Sequence, residues 1–271
     1  MTAFFYNLPI WLSTLLVLGL ALAIGLGSSV GMRTLFRLKS TNEEREIAVN
    51  LMQVVAAYIG IMLAFSGVAA WQNYADADTA VHQEVASAAE FYRDLTVYGA
   101  DADAARADLR IYIQSILKDE WPLLRKGQGS TATEAALGKL FQTFGQIRPQ
   151  DNRDSAIYSE AFSKLNDLVV LRRDRIITSR GGMPIILWVV GLVGSTLTIS
   201  YASAFSRTRF NLMMISGTSI AIGLVFLFIL TVDHPFLGAF SVDAGDLSQL
   251  PATFDRLDLL VAGEQGTPKG G

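Results

Sequence analysis

Charge is missing from this chain in four long blocks. Residues 1–32, 47–75, 181–206 and 210–232 contain no Asp, Glu, Lys or Arg, and no other stretch of 20 residues or more is free of them. A helix that crosses a bilayer needs ~20 apolar residues in a row. The pattern therefore predicts four crossings, about Leu8–Val30, Ile47–Trp71, Met183–Phe205 and Phe210–Val232. Trp11, Trp71, Trp188 and Tyr201 fall near the ends of these spans, where amphipathic rings settle. Only 17% of the 271 residues are charged, against about 25% in soluble domains, so a soluble enzyme is a poor fit. The expected fold is an all-α membrane protein with four transmembrane helices and a helical-bundle domain between helices 2 and 3. Its expected parts are 1–71 (two spans and a short basic loop), 72–182 (the soluble helical domain), 183–232 (two spans) and 233–271. The last is a tail whose Gly-rich end, 263–271, reads as disordered.

Other counts exclude chemistry. The chain has no cysteine, which removes disulfides, thiolate nucleophiles, cysteine zinc sites and iron–sulfur clusters. A net charge of −3 does not favour nucleic acid. No Asp, Glu, Lys, Arg or His lies inside any span, whereas proton relays and coupled ion sites are built from such residues. His82 and His234 are the only histidines, on different segments and without haem or zinc spacing. No P-loop, dinucleotide fingerprint or nucleophile elbow is present. Neither catalytic residues, a metal site nor a cofactor is expected.

Short basic loops set orientation. The 33–46 loop carries Arg33, Arg37, Lys39 and Arg45, and the Ser206–Arg209 turn carries Arg207 and Arg209. That count places both turns in the cytoplasm and residues 72–180 outside, against the pull of Arg172, Arg173, Arg175 and Arg180 before the third span.

Residues 76–180 read as helices over about 77–98, 103–126, 132–147 and 153–180. Asp101 and Asp103 suit a helix start, and the Gly127–Gly129 stretch suits a break. Leu109, Ile113, Ile116, Leu117 and Trp121 share a face at helical spacing, as do Ile157, Phe162, Leu165, Leu168, Val169 and Ile176; such stripes are bundle core. Nothing breaks the helix between Trp71 and Asp76, so the second span continues into the insert. The first and last helices of the insert then form antiparallel stalks. In that register Glu84 faces Arg172 and Arg173, while Asp76 and Asp78 face Arg180 and Arg175. These charge pairs are expected to set the register of the stalks more than to add stability, since exposed pairs contribute about 0–1 kcal/mol.

Small residues recur every four positions within the spans: Ala21, Gly25 and Ser29 in the first, Gln53, Ala57, Gly60, Ala64 and Gly67 or Val68 in the second, and Gly217/Ala221 and Ser219/Gly223 in the fourth. Such faces allow close helix packing in lipid. The second-span face has another reading, as the lining of an axial pathway in a homo-oligomer. Asn50, Gln53, Ala57, Gly60 and Ala64 are then the candidate pore-lining residues, with Asn50 and Gln53 as a polar mouth. At the end of the fourth span, Asp233-His234-Pro235-Phe236-x-Gly238 closes the helix. An acid is misplaced at a negative helix C-terminus, so Asp233 should have a partner: an arginine such as Arg180, free backbone N–H groups or a cation.

These pieces together resemble the bacterial bestrophin-like family. The matching motifs are Ala64-Phe65; Trp71-x-x-Tyr74-x-x-Ala77; Val81-x-x-Glu84-x-x-Ser87 with Phe91-Tyr92-Arg93; Tyr112 and Glu120-Trp121-Pro122; Leu171-Arg172-Arg173-x-Arg175; Pro184 with Trp188; and Asp233-x-Pro235-Phe236-x-Gly238. They cover about residues 50–240. The resemblance implies kinship with bestrophins, which are oligomeric anion channels with four spans and a helical domain between spans two and three. It also implies a cytoplasmic domain, opposite to the charge count. The calcium-clasp acidic cluster of bestrophins has no counterpart, as Asp243, Asp246, Asp255 and Asp258 are too dispersed. The expected setting is a bacterial inner (cytoplasmic) membrane, multi-pass, with the lipid bilayer, other copies of the chain and inorganic ions as partners. Two functions stay open: a passive ion channel, or a membrane-anchored scaffold or sensor whose 72–180 domain binds a partner.

Overall fold

A computed structural model of the chain describes Tyr6 and residues 8–36, 41–201 and 208–265. Arg37, Lys39 and Arg207 of the basic turns, and residues 266–271 of the tail, lie outside the described residues. All regular elements among the described residues are helical. In chain order they are α1 (Ile10–Phe36), α2 (Asn42–Tyr98), a 3-10 turn (Ala100–Ala102), α3 (Asp103–Ser115), a π-turn (Ile116–Glu120), α4 (Trp121–Leu124), α5 (Thr131–Phe144), α6 (Asn152–Ser179), α7 (Ile185–Ser200), α8 (Arg209–Val232) and α9 (Gly245–Gln265).

The chain divides into two compact units. One contains the described residues through Tyr74 together with Gly182–Ser241, and the other Ala75–Gly181 with the described residues from Val242 onward. The 233–271 tail is thus shared between them. α2 contributes its first half to one unit and its second half to the other.

In the apolar unit, α1, α8 and the first half of α2 are long and apolar enough to cross a membrane. α7 is equally apolar but has 16 residues. α1 and α8 meet through small residues, as their spacing suggests: a Cβ added to Gly223 would sit 2.9 Å from Ala21 Cβ. Ser219 and Gly223 are buried while Gly217 and Ala221 face outward. Leu63 and Ala70 of α2 form a core with Ile229 and Val232 of α8, and Trp188 of α7 packs on it.

Local chemistry explains the ends of α2. Thr41 and Glu44 form a reciprocal capping box, Thr41 N to Glu44 Oε2 at 2.7 Å and Glu44 N to Thr41 Oγ1 at 3.3 Å, satisfying two orphan donors. Gly99 (φ +106°) terminates the helix in a conformation that few side chains tolerate. Between these ends runs one helix of 57 residues.

In the helical-bundle unit the core contains Phe91, Leu95, Leu109, Ile113, Ile116, Leu140, Phe144, Leu165 and Leu168. The stripe read on α6 needs correction. Leu165 and Leu168 are inside, but Phe162 is 43% and Val169 40% exposed. The buried face instead runs through Ala161, Leu165, Leu168, Arg175 and Ser179. A hydrophobicity pattern cannot include Arg175, so the apolar reading rotates toward the neighbouring Phe162 and Val169. α6 begins where the Asp151 side chain accepts the Asp154 N–H at 2.7 Å.

Candidate functional site

On α2, Asn50, Gln53, Ala57, Gly60 and Ala64 are all exposed, and the stripe ends at exposed Val68. Gly67 is turned inward against Phe228 and Ile229. Parallel to this small face runs a second stripe of exposed large residues, Ile47, Leu51, Val54, Tyr58, Ile61, Phe65 and Val68. Gly60 meets no neighbour: a Cβ built there has nothing within 4 Å.

The bundle unit holds a buried charge network. Glu84, Glu120 and Arg175 have no exposed side-chain surface, and Arg172 is 12% exposed. Arg175 Nε donates to Glu84 Oε2 at 2.6 Å, and its Nη2 donates to Glu120 Oε1 at 2.9 Å. Arg172 Nη2 donates to Glu120 Oε2 at 2.6 Å. The Tyr112 hydroxyl donates to Glu84 Oε1 at 3.1 Å, and the Ser130 N–H to Glu120 Oε2 at 2.9 Å. Two carboxylates and two guanidiniums balance, and hydrogen bonds from Tyr112 and Ser130 add to the carboxylates, conditions under which buried charge is tolerated, with Arg175 Nη1 alone of that guanidinium's nitrogens left without a hydrogen-bond partner.

This network corrects the expected stalk register. Glu84 pairs with Arg175 rather than with Arg172 or Arg173. Arg172 turns to Glu120, Arg173 is exposed, and Arg180 Nε donates to Gly127 O at 3.0 Å. Asp78 lies 3.6 Å from His82 on its own helix, and Asp76 is exposed. An antiparallel register along the stalks does not contain the rotation of each helix, and of these arginines only Arg175 lies on the buried line of α6.

Local structure places Glu120. The π-turn rotates it inward and ends where Pro122, which has no N–H to give, starts α4. Gly129 keeps the space beside it: a Cβ there would fall 2.9 Å from Ile176 Cδ1 and 3.5 Å from Glu120 Oε2. Tyr112 and Glu120 were visible as motif residues but not as partners of the arginines. Burial opposes the charge on Arg175, yet the Glu84 carboxylate outweighs it and holds the guanidinium above its ordinary range. Burial first, and the Glu84 charge second, push the Tyr112 hydroxyl well up, so it stays a neutral donor.

At the end of α8, Asp233 is 4% exposed. Its Oδ1 accepts the Met183 N–H at 2.6 Å, and its Oδ2 lies 3.1 Å from His234 Nδ1. The partner is thus a backbone N–H and a histidine. An acid misplaced at the C-terminus of α8 is well placed beside the N-terminus of α7, where free N–H groups and the dipole favour negative charge. Pro235 and Phe236 are buried, and Gly238 (φ +88°) lies against the Tyr6 ring.

A further cluster escaped sequence reading. Asp258 of α9 receives Tyr92 Oη at 2.7 Å, Arg106 Nη1 at 2.7 Å and Arg110 Nη2 at 2.9 Å. Phe254 stacks on Tyr92 with ring centroids 4.1 Å apart. Asp255 and Asp258 of the tail find their counter-charges on α3, in Arg110 and Arg106, while Asp246 lies 2.9 Å from His82 Nδ1 of α2. Burial works against the Asp258 charge, but the Tyr92 hydroxyl and the two guanidiniums prevail and hold its carboxyl below the usual range.

No curated protein matches the chain. Among solved structures, a bacterial bestrophin homologue from Klebsiella pneumoniae with a point substitution is 13% identical, with 94% of this chain and 99% of that one covered and a TM-score of 0.65. A second variant of that homologue is 17% identical over 93% and 99% of the two chains, with a TM-score of 0.66. A structure described as a membrane protein is 12% identical over 94% and 99%, with a TM-score of 0.63. At these identities the likeness concerns the fold, an all-helical bestrophin-like arrangement with apolar helices. The bestrophin-like domain family matches residues 19–247, and by that match the chain belongs to the bestrophin-like family.

Proposed function

We propose that this chain is the subunit of a homo-oligomeric passive ion conduit whose α2 helices line the pathway. In this reading α1, the first half of α2, α7 and α8 are four spans, and the bundle is a water-exposed domain inserted after the second. α7 is ~24 Å long at 1.5 Å per residue, which crosses most of a ~30 Å hydrocarbon core; Met183 and Pro184 before it and Tyr201 after it lengthen the apolar segment.

One observation carries the proposal. α2 presents a continuous outward face of small and polar residues, Asn50 to Ala64, in a segment without charge. Packing within the subunit does not account for that face, because Gly60 has open space beside it. Passive conduction needs a path lined by weak polar groups or apolar constrictions, not the buried ionisable residues of pumps. Anions are the permeant class of this reading because the resemblance to bestrophins implies an anion channel. Arg172 is neutralised by Glu120, so any cationic bias from the Arg172–Arg173 pair falls to exposed Arg173.

The test is ion flux from sealed liposomes under parallel chloride and potassium gradients. Gly60→Phe should abolish flux while the oligomer, weighed by native mass spectrometry, stays intact. Arg173→Glu should lower the chloride preference. Unchanged flux in Gly60→Phe removes α2 from the pathway. No flux from folded, oligomeric wild-type protein favours the second reading, a partner-binding scaffold. The observation behind that reading is the exposed apolar run Phe162, Val169, Val170 and Ile177 on α6.

A further inference from the structure

Between α1, α7 and α8 lies a crevice of about 260 Å³. Leu16, Leu20, Leu192 and Phe226 line it, with Trp188 stacked on Phe226 at 6.1 Å between ring centroids. Ser195 also lines it, is 4% exposed, and its hydroxyl has no hydrogen-bond partner. The other hydroxyl side chains of α7 bond back to their own helix: Thr196 to Leu192 O at 2.8 Å, Thr198 to Gly194 O at 2.9 Å and Ser200 to Leu197 O at 2.7 Å. Ser219, across the crevice on α8, donates to Ile215 O at 2.7 Å. Buried hydroxyls are nearly always paired. An unpaired one on the wall of an otherwise apolar cavity points to an acceptor that the protein does not supply.

Depth narrows the chemistry. Ser195 is ten residues past the start of α7, ~15 Å along the helix and so near the middle of a ~30 Å hydrocarbon core. A phospholipid offers only methylene groups at that level, because its ester oxygens stay near the headgroups. The acceptor therefore belongs to a molecule dissolved in the hydrocarbon itself. The crevice is smaller than the ~300–1,000 Å³ of drug-sized sites, which limits the occupant to a small ring or a slender chain.

We propose that this crevice binds a small membrane-dissolved carbonyl compound, a ketone or quinone in class, with its oxygen on the Ser195 hydroxyl and its apolar body against Trp188 and Phe226. The proposal rests on the membrane-crossing reading of α7 and is independent of conduction.

Trp188 makes the site readable. The full chain is reconstituted in lipid nanodiscs, and its quenching is taken as the difference from Trp188→Phe protein. The probes are a brominated medium-chain ketone, a bromoalkane of the same length, and a phospholipid with brominated acyl chains. The ketone should quench saturably and bind about five-fold more tightly than the bromoalkane, the effect of one hydrogen bond. Ser195→Ala should erase that preference, and Leu192→Phe, which fills the crevice, should abolish saturation in an otherwise intact protein. Equal, non-saturating quenching by ketone and alkane means that acyl chains fill the crevice, and overturns the proposal. Quenching of Trp11 but not of Trp188 means that the crevice is covered in the assembled protein, which also overturns it. If the brominated lipid quenches not even Trp11, which is 61% exposed, the membrane-crossing reading falls and takes this proposal with it. Ion flux bears on the conduit reading alone.

Discussion

The two units treat charge in opposite ways. The apolar unit keeps Asp, Glu, Lys, Arg and His out of the long apolar stretches of its helices, 10–32, 47–74, 185–200 and 210–232, and packs through Ala21, Ser219 and Gly223. The bundle unit buries four charged side chains in its core, Glu84, Glu120, Arg172 and Arg175. The reason is the reference state. On the proposed reading the bundle lies in water, so burying its charges costs desolvation that their partners must offset. A helix in lipid has no polar solvent from which to recover a partner, so small residues that bring backbones close are the better adhesive. One unit therefore gains specificity from a few strong, directional contacts, the other from many weak, shape-dependent ones.

The largest effect should come from breaking the bundle network at its centre. Arg175→Ala leaves Glu84 and Glu120 buried and unpaired, and should cost about 3–5 kcal/mol, read as a fall in the unfolding midpoint by circular dichroism. Glu84→Gln should cost less, because Tyr112 and Arg175 can still hydrogen-bond an amide. The cycle between Glu84→Gln and Arg175→Met should show a coupling of about 0.5–3 kcal/mol. The same cycle with Arg172 in place of Arg175 should show less, and a larger value there would restore the register read from the sequence. Arg173→Ala, at an exposed position, should stay within about 0.5 kcal/mol.

The converse experiment puts a charge into the apolar unit. Ser219 is fully buried where α8 meets α1, and Ser219→Asp should cost about 2.5–3.5 kcal/mol, seen as lost membrane insertion or assembly. Little loss there would mean that this contact is wet, and the contrast between the units would weaken.

A smaller effect is expected at the α9 anchor. Asp258→Asn should loosen α9 by about 1 kcal/mol, its side chain being partly exposed, measured as faster amide exchange over 245–260. The Asp258 carboxyl sits below its unfolded value in the folded protein. Its stabilisation is therefore present above the ordinary carboxylate pKa of about 3.9 and is lost as pH falls through the lowered folded value. Exchange in α9 should accelerate in that acid window in the wild type and lose this dependence in Asp258→Asn. Gly60→Phe, like Arg173→Ala, should change stability by no more than about 0.5 kcal/mol, but with complete loss of flux. A large destabilisation there would show that the α2 face is a packing surface.

Much of this was legible in one dimension, because the bilayer and the α-helix are both periodic constraints. Absence of charge over 20 or more residues marks an apolar helix without any tertiary information. The unbroken run from Trp71 to Asp76 marks the second span as continuing into the helix over 77–98, and motif order and spacing identify the family. Even the small faces of α1 and α8 follow from a repeat of four. The need of Asp233 for a partner followed from helix electrostatics alone.

Partner identity is another matter, since it depends on helix rotation and on contacts between distant parts of the chain. Glu84 and Arg175 are 91 residues apart, and a shift of one turn exchanges Arg175 for Arg172. The π-turn that aims Glu120, the stacking of Phe254 on Tyr92, and the use of Asp233 at the start of α7, the preceding helix, arise only when separate elements meet. Sequence periodicity determined which faces are apolar and where the helices run. Tertiary packing decided which polar groups inside those faces meet, because a buried charge is stable only where several distant segments supply its partners at hydrogen-bond distance.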